Sequence, residues 1–215
     1  MEIITWIFDL VLHLDKHLGT LATQYGTWIY GILFLIIFCE TGLVVTPFLP
    51  GDSLLFIAGS MCAMGTMNVH LLVLLLFLAA FLGNVTNYEI GRAFGGRFFK
   101  NKDSRWMNPK HIDTTNAFFT RWGGWTVIVG RFVPFIRTYV PFVAGLGAMP
   151  RPTYIFYTVA GGALWVGSLT YLGYFFGNIP WIKANTGFLV IGIIVVSALP
   201  VVIGAIKSHL AKKTV

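Results

Sequence analysis

Four stretches of this chain, residues 27–46, 69–95, 152–180 and 186–206, are apolar over the length a helix needs to cross hydrocarbon, about 20 residues. Two more, residues 47–64 and 124–149, are apolar but interrupted, the first by Pro47, Pro50 and Gly51 and the second by Pro134, Pro141, Gly145 and Gly147. Each proline removes a backbone donor and disfavours helix in the residue before it, so neither segment is expected to be one straight spanning helix. Irregular backbone survives at membrane depth only where protein or a wet cavity covers it, which predicts two re-entrant helical hairpins. The expected fold class is an all-α polytopic membrane protein with these two hairpins and about four full transmembrane helices. Composition agrees: 56% of the residues are hydrophobic and 11% charged, more apolar surface than a soluble domain of this length can bury.

The opening, MEIITWIFDLVLHLDKHL, places Asp9, His13, Lys16 and His17 opposite Ile7, Leu10, Val11, Leu14 and Leu18. That pattern predicts an interfacial amphipathic helix within residues 1–24, and the absence of a basic n-region and cleavage site predicts that it is retained. His13 and His17 lack a third ligand, and Cys39 and Cys62 form no ligand-spaced cluster, so no metal or cofactor is expected beyond protons as a coupling ion. The net charge of +7 reads as membrane topology rather than nucleic-acid binding, because the basic residues sit beside apolar spans. Arg97, Lys100, Lys102, Arg105, Lys110 and Arg121 lie in a loop over residues 96–123, and Lys207, Lys212 and Lys213 in the tail at 207–215. Both regions are predicted cytoplasmic, which puts both termini inside, the first hairpin entering from outside and the second from the cytoplasm. Asn108 before Pro109, and Gly123-Gly124 after Trp122, are cap signals for a short surface helix in that loop.

An internal repeat runs through the apolar text. FIAGSMCAM at 56–64 and FVAGLGAM at 142–149 share their opening and close, and a matched phrase is associated with each repeat unit, IGRAFG at 90–95 and LGYFFG at 172–177. Their common order predicts a duplication, and the charge-derived topology gives the two copies opposite orientations, the inverted-repeat plan of many secondary transporters.

Glu40, Asp52 and Glu89 fall in segments read as membrane-embedded, and so do Arg131 and Arg137 in RFVPFIRTYVPF. A charge at the centre of a spanning helix costs about 2.5–3.5 kcal/mol on insertion scales, so these groups require partners or water. Two acids near the first hairpin and two arginines in the second predict that the hairpin tips meet around a small polar cavity. A guanidinium fork suits phosphate oxygens, which makes Arg131 and Arg137 candidate substrate phosphate-binding residues. Glu40 and Asp52 can titrate and are candidates for proton coupling or charge pairing; the competing reading is a permanent salt bridge that closes the hairpins. Ser53, Asn84, Asn87 and Tyr88 are candidates either to line the cavity or to hydrogen-bond irregular backbone. Glu89 and Arg92, at i and i+3, read as a local structural pair. Trp165, Tyr171 and Tyr174 read as packing and interface aromatics.

With ETGLVVTPFLPGDS at 40–53, NYEIGRAFG at 87–95 and GRFVPFIRTYVPFVAGLGAM at 130–149 in view, the chain closely resembles the bacterial DedA family, part of the wider SNARE-associated or VTT-domain superfamily, over residues 25–205. The resemblance implies a multi-pass inner-membrane protein with two opposed re-entrant hairpins and a role in lipid-carrier translocation and envelope homeostasis. It further implies recycling of undecaprenyl phosphate and dependence on the proton motive force. By motif, the family's functional positions fall on Glu40, Asp52, Arg131 and Arg137. Many relatives carry Glu where Asp52 stands, and often an acid where this chain has Asn84.

The expected function is flipping of a polyprenyl phosphate, with an anionic isoprenoid or phospholipid as substrate and membrane lipid as surroundings. The alternatives are a proton-coupled cation or drug antiporter, against which the arginine pair argues, and a structural envelope protein. No arrangement of nucleophile, base and phosphate-binding residues is present in the sequence, so an enzyme is not expected. The oligomeric state stays open, a homo-oligomer included.

Overall fold

The computed structural model describes residues 26–43, 51–100, 123–147, 149–177 and 179–180, with side chains except those of 95–100, 134 and 135. The amphipathic opening, Pro47, Pro50, the cap signals at Asn108 and Pro109, the span at 186–206 and the basic tail lie outside the described residues. What is described is helical: α1 Trp28–Gly42, α2 Gly51–Ala63, α3 Val69–Lys100, α4 Trp125–Gly130, α5 Pro134–Leu146 and α6 Arg151–Phe176.

Two of these helices are long and apolar enough to cross a membrane, α3 over Val69–Phe94 and α6 over Arg151–Phe176. Their surfaces fit that role. Along α3, Leu71, Leu74, Leu78 and Leu82 recur at helical spacing and are exposed, while Leu72, Leu76, Ala79 and Ala80 are buried. Along α6, Ile155, Phe156, Val159, Leu164 and Phe175 are exposed. Contiguous apolar stripes of this kind would be adhesive in water and are at rest in lipid. The stretch expected to span at 27–46 forms a helix of 15 residues, about 22 Å at 1.5 Å per residue.

Local chemistry sets the helix ends. Asn68 caps α3, its Oδ1 accepting from the amides of His70 at 3.0 Å and Leu71 at 3.1 Å. Gly65, at φ +81°, follows α2 in a left-handed conformation that its missing Cβ permits, and Gly123 does the same at φ +59° before α4. The surface helix for which Gly123-Gly124 is a cap signal lies outside the described residues.

The second interrupted segment breaks at one place. After α4 the chain turns through Arg131–Val133, Val133 is extended at φ −114° and ψ 111°, and Pro134 opens α5 at its first turn. That is the arrangement a proline imposes on its predecessor and tolerates in itself. Pro141, expected to interrupt the segment, instead lies inside α5. The helix tolerates the lost donor there because its neighbours on both sides keep helical geometry through Leu146. Gly130 at the end of α4 faces Val140 and Ile136 of α5, and Val127 joins Val140 and Ala144 in one buried cluster, so the two helices fold back on each other.

The chain divides into two compact units. Unit 1 comprises residues 1–31, 50–73 and 168–215, and unit 2 residues 32–49 and 74–167. Within unit 1, α2 packs on the last turns of α6: Gly59 faces the carbonyl of Thr170 and the amide of Tyr174, and Gly173 faces the carbonyl of Phe56. Within unit 2, α5 packs on α3 by the same pattern: Gly145 faces the carbonyl of Tyr88 and the amide of Arg92, and Gly91 faces the carbonyl of Phe142. A methyl group at any of these four glycines would overlap a backbone oxygen. The repeated phrases are therefore contact surfaces, and they are exchanged between copies: the short helix of the first copy docks on the long helix of the second, and the reverse. Close backbone approach through small residues is how helices associate without a hydrophobic driving force.

Candidate functional site

Unit 2 buries more ionised chemistry than an apolar bundle can carry without partners. Glu40 sits near the end of α1, 1% exposed, and Arg137 in the first turns of α5, 8% exposed. Arg137 Nη2 donates to Glu40 Oε1, joining residues 97 apart in sequence. The Arg137 guanidinium also lies over the ring of buried Trp165 on α6, 5.1 Å from its centroid. An ion pair and a cation–π face together hold this guanidinium in one orientation.

Asn87 of α3 supports the pair from below. Its Nδ2 donates to the carbonyl of Thr41 at 3.1 Å and to that of Thr138 at 2.9 Å. Those carbonyls belong to the residues immediately after Glu40 and Arg137, so one amide group ties together the two backbones that present the acid and the base. Close packing of α1 on α3 completes the arrangement: a Cβ on Gly42 would lie 3.2 Å from the Cα of Gly83, and one on Gly83 would strike the Thr41 hydroxyl.

Arg131 differs from Arg137. It occupies the turn between α4 and α5, is 5% exposed, and is near enough to Arg137 and Tyr154 to feel both electrostatically. Among the described residues its Nε and Nη2 have no hydrogen-bond partner. These two atoms form one edge of the guanidinium. The same edge of Arg151 grips Glu89 side-on, Nε to Oε1 at 2.7 Å and Nη2 to Oε2 at 2.8 Å. Arg131 thus holds, buried, the two-donor fork that Arg151 uses on a carboxylate.

The polar stripe on α3 braces backbone. Asn84 Nδ2 donates to Ala80 O at 2.6 Å, Tyr88 donates its hydroxyl to Met149 O, and Tyr154 donates to Asn84 O at 2.9 Å while stacking on Tyr88 with centroids 4.3 Å apart. The local Glu89–Arg92 pair is not what forms. Glu89 takes Arg151 from the start of α6, whose fork fits both carboxylate oxygens, and Arg92 Nη1 turns to the Tyr88 hydroxyl at 3.0 Å.

Asp52 and Ser53 belong to unit 1, in the first turn of α2 that Gly51 begins; Asp52 is half-buried and Ser53 is buried with its hydroxyl unpartnered among the described residues. Reading the residues in order did not single out Tyr154, Thr138 or Gly161-Gly162, and it took Trp165 for packing. A tryptophan facing inward two residues after a polar-free GGA stretch was the available signal.

Residues 49–175 match the VTT domain. The chain is 51% identical over 209 residues to protein DedA of Escherichia coli K12, covering 96% of this chain and 95% of that protein. The chain belongs to the DedA family. Other members it resembles are an uncharacterized membrane protein of Mycobacterium leprae, 42% identical over 80% of this chain and 77% of the relative, and the inner membrane protein YqjA of E. coli K12, 38% identical over 84% and 81%. No solved structure matches. This DedA-family chain is accordingly a membrane protein, as the names of two relatives have it, one of them an inner membrane protein. None of those names carries an enzymatic activity.

Proposed function

We propose that this chain translocates a polyprenyl phosphate, undecaprenyl phosphate by preference, across the cytoplasmic membrane, in support of envelope homeostasis. The observation that carries the reading is the buried, two-donor edge of Arg131. A phosphate monoester presents two or more anionic oxygens on one centre and matches a side-on guanidinium fork. A buried arginine whose edge no carboxylate among the described residues neutralises is a costly feature to keep unless an anion visits it.

On this reading the two arginines divide the work. Arg131 receives the phosphate, and Arg137, already committed to Glu40 and Trp165, supplies positive potential and exchanges partners as the headgroup approaches. Competition by the phosphate for Arg137 would release Glu40 and favour its protonation, which couples transport to the proton gradient; Asp52 is the second candidate for proton coupling. The isoprenoid tail stays in lipid along the exposed leucine and phenylalanine stripes. The membrane plan is that of two oppositely oriented copies with re-entrant hairpins at 47–64 and 124–149, four crossings and both termini cytoplasmic.

The test is flipping of a fluorescent polyprenyl phosphate in liposomes containing wild type, Arg131→Gln or Arg137→Gln, with monodispersity checked in detergent. Loss of flipping in a well-folded Arg131→Gln supports the reading. A wild type that moves no lipid with or without an imposed proton gradient sinks it and returns cation exchange or an envelope scaffold to the front. Flipping that is indifferent to pH gradient and membrane potential removes proton coupling alone.

A further inference from the structure

The long helix α6 carries two adjacent glycines, Gly161 and Gly162, between Ala160 and Ala163. Glycine in a helix interior weakens the helix relative to alanine, so a pair there calls for a steric reason. Four helix-contact glycines have one in a backbone carbonyl that each abuts, namely Gly59, Gly91, Gly145 and Gly173. Gly161 and Gly162 both abut the side chain of one buried arginine. A Cβ on Gly161 would stand 3.2 Å from Cδ and 3.3 Å from Nε of Arg131, and 3.2 Å from Cα of Ile128; a Cβ on Gly162 would stand 3.0 Å from Arg131 Nη1 and 3.3 Å from the Phe77 ring.

We infer that Gly161 and Gly162 are positioning residues for anion recognition: together they form the slot in which the Arg131 side chain passes close against α6, fixing the direction of its Nε/Nη2 edge. This inference rests on the phosphate-binding reading of Arg131 and adds the residues that aim it. An added Cβ would meet Cδ, Nε and Nη1 of the group, and Nη2 is not among the atoms it would meet. The contacts at 3.0–3.3 Å are tight rather than impossible, and the end of an arginine can shift by a few tenths of an ångström. Alanine at Gly162 therefore leaves the fold standing and moves the fork, while alanine at Gly161 presses on the Ile128 backbone as well. Because directional, charge-assisted bonds weaken quickly with misalignment, a small shift has a large effect on affinity.

The experiment titrates farnesyl phosphate, and inorganic phosphate in parallel, into the full chain in nanodiscs, and records the arginine Nε–H resonances of [15N]arginine-labelled protein, that of Arg131 being assigned by its absence in Arg131→Lys. Gly162→Ala is expected to weaken farnesyl phosphate binding about tenfold and to shift the Arg131 resonance, with Gly161→Ala acting the same way. Gly167→Ala, on the same helix with no atom within 4 Å of an added Cβ, is the control and changes neither. Lysine has no Nη1, so in an Arg131→Lys background Gly162→Ala should cost nothing further; a merely structural glycine would cost the same in both backgrounds. Tight binding of inorganic phosphate identifies free phosphate rather than a lipid headgroup as the ligand and leaves the slot intact. Wild-type binding that Arg131→Gln abolishes and Gly162→Ala leaves untouched overturns the inference while sparing the reading beneath it. No binding by wild type overturns the phosphate reading, and an unmoved Arg131 resonance in Gly162→Ala overturns the slot regardless of ligand.

Discussion

Unit 1 and unit 2 share a scaffold and differ in cargo. In both, a short helix docks on a long one through glycines that face carbonyls at matching positions, Gly59 and Gly173 in one and Gly145 and Gly91 in the other. In both, a polar link joins the start of one long helix to the late turns of the other: His70 Nδ1 with the Tyr171 hydroxyl at 2.8 Å in unit 1, Arg151 with Glu89 in unit 2. The buried arginines belong to unit 2 alone, together with Glu40 and Asn87. The packing surfaces meet one steric constraint in both units, while the buried charges are confined to one of them.

The sharpest way to break the shared scaffold is to fill its glycines. Gly59→Val and Gly145→Val should each destabilise by about 3 kcal/mol or more, at the upper end of overpacking, because the obstructing atoms are backbone oxygens that cannot move aside. Thermal unfolding in detergent would show comparable losses in the two variants. A large loss in only one would mean that the matched phrases are no longer structurally equivalent.

Charge in unit 2 comes next. Glu40→Gln leaves Arg137 buried without its carboxylate, a change that typically costs about 3–5 kcal/mol, whereas Glu40→Gln combined with Arg137→Gln should recover much of that stability without recovering transport. Urea or thermal midpoints of the single and double variants make the cycle. If the double variant is as unstable as the single, the pair is not the unit that matters. Asn87→Ala should be milder, roughly 1–3 kcal/mol in all, and should cost flipping as well because it frees the two backbones that present Glu40 and Arg137. Stability lost with flipping intact would reduce Asn87 to scaffolding.

These expectations mark where linear reading succeeds. The duplicated phrases were visible because identical contacts demand similar residues, and the break before Pro134 was visible because a proline constrains its own predecessor. Pro141 misled because one missing donor inside a helix held by its neighbours does not end it. The acids and arginines were visible as a group, since charge in apolar text stands out. Their pairing was not: Glu40 and Arg137, or Glu89 and Arg151, are brought together by helix packing across long separations, and no spacing rule encodes which partner is chosen. The distinction between a locked Arg137 and an open-edged Arg131, six residues apart, is likewise a property of what packs on each, Trp165 on one and Gly161-Gly162 on the other.

The smallest effects test whether the two end links, alike in placement, are alike in kind. Glu89 and Arg151 are well exposed and joined as full charges, so added salt screens their attraction, and Glu89→Gln should matter at low ionic strength and fade at high. His70 and Tyr171 are joined by a hydrogen bond, and Tyr171→Phe should have a modest effect that added salt does not change. Melting curves of the two variants at low and high salt separate the cases. A response in Glu89→Gln alone would mean that the link in unit 2 is one that ionic conditions loosen and the link in unit 1 one that they leave alone; a salt response in both would mean that the two links do not differ in kind.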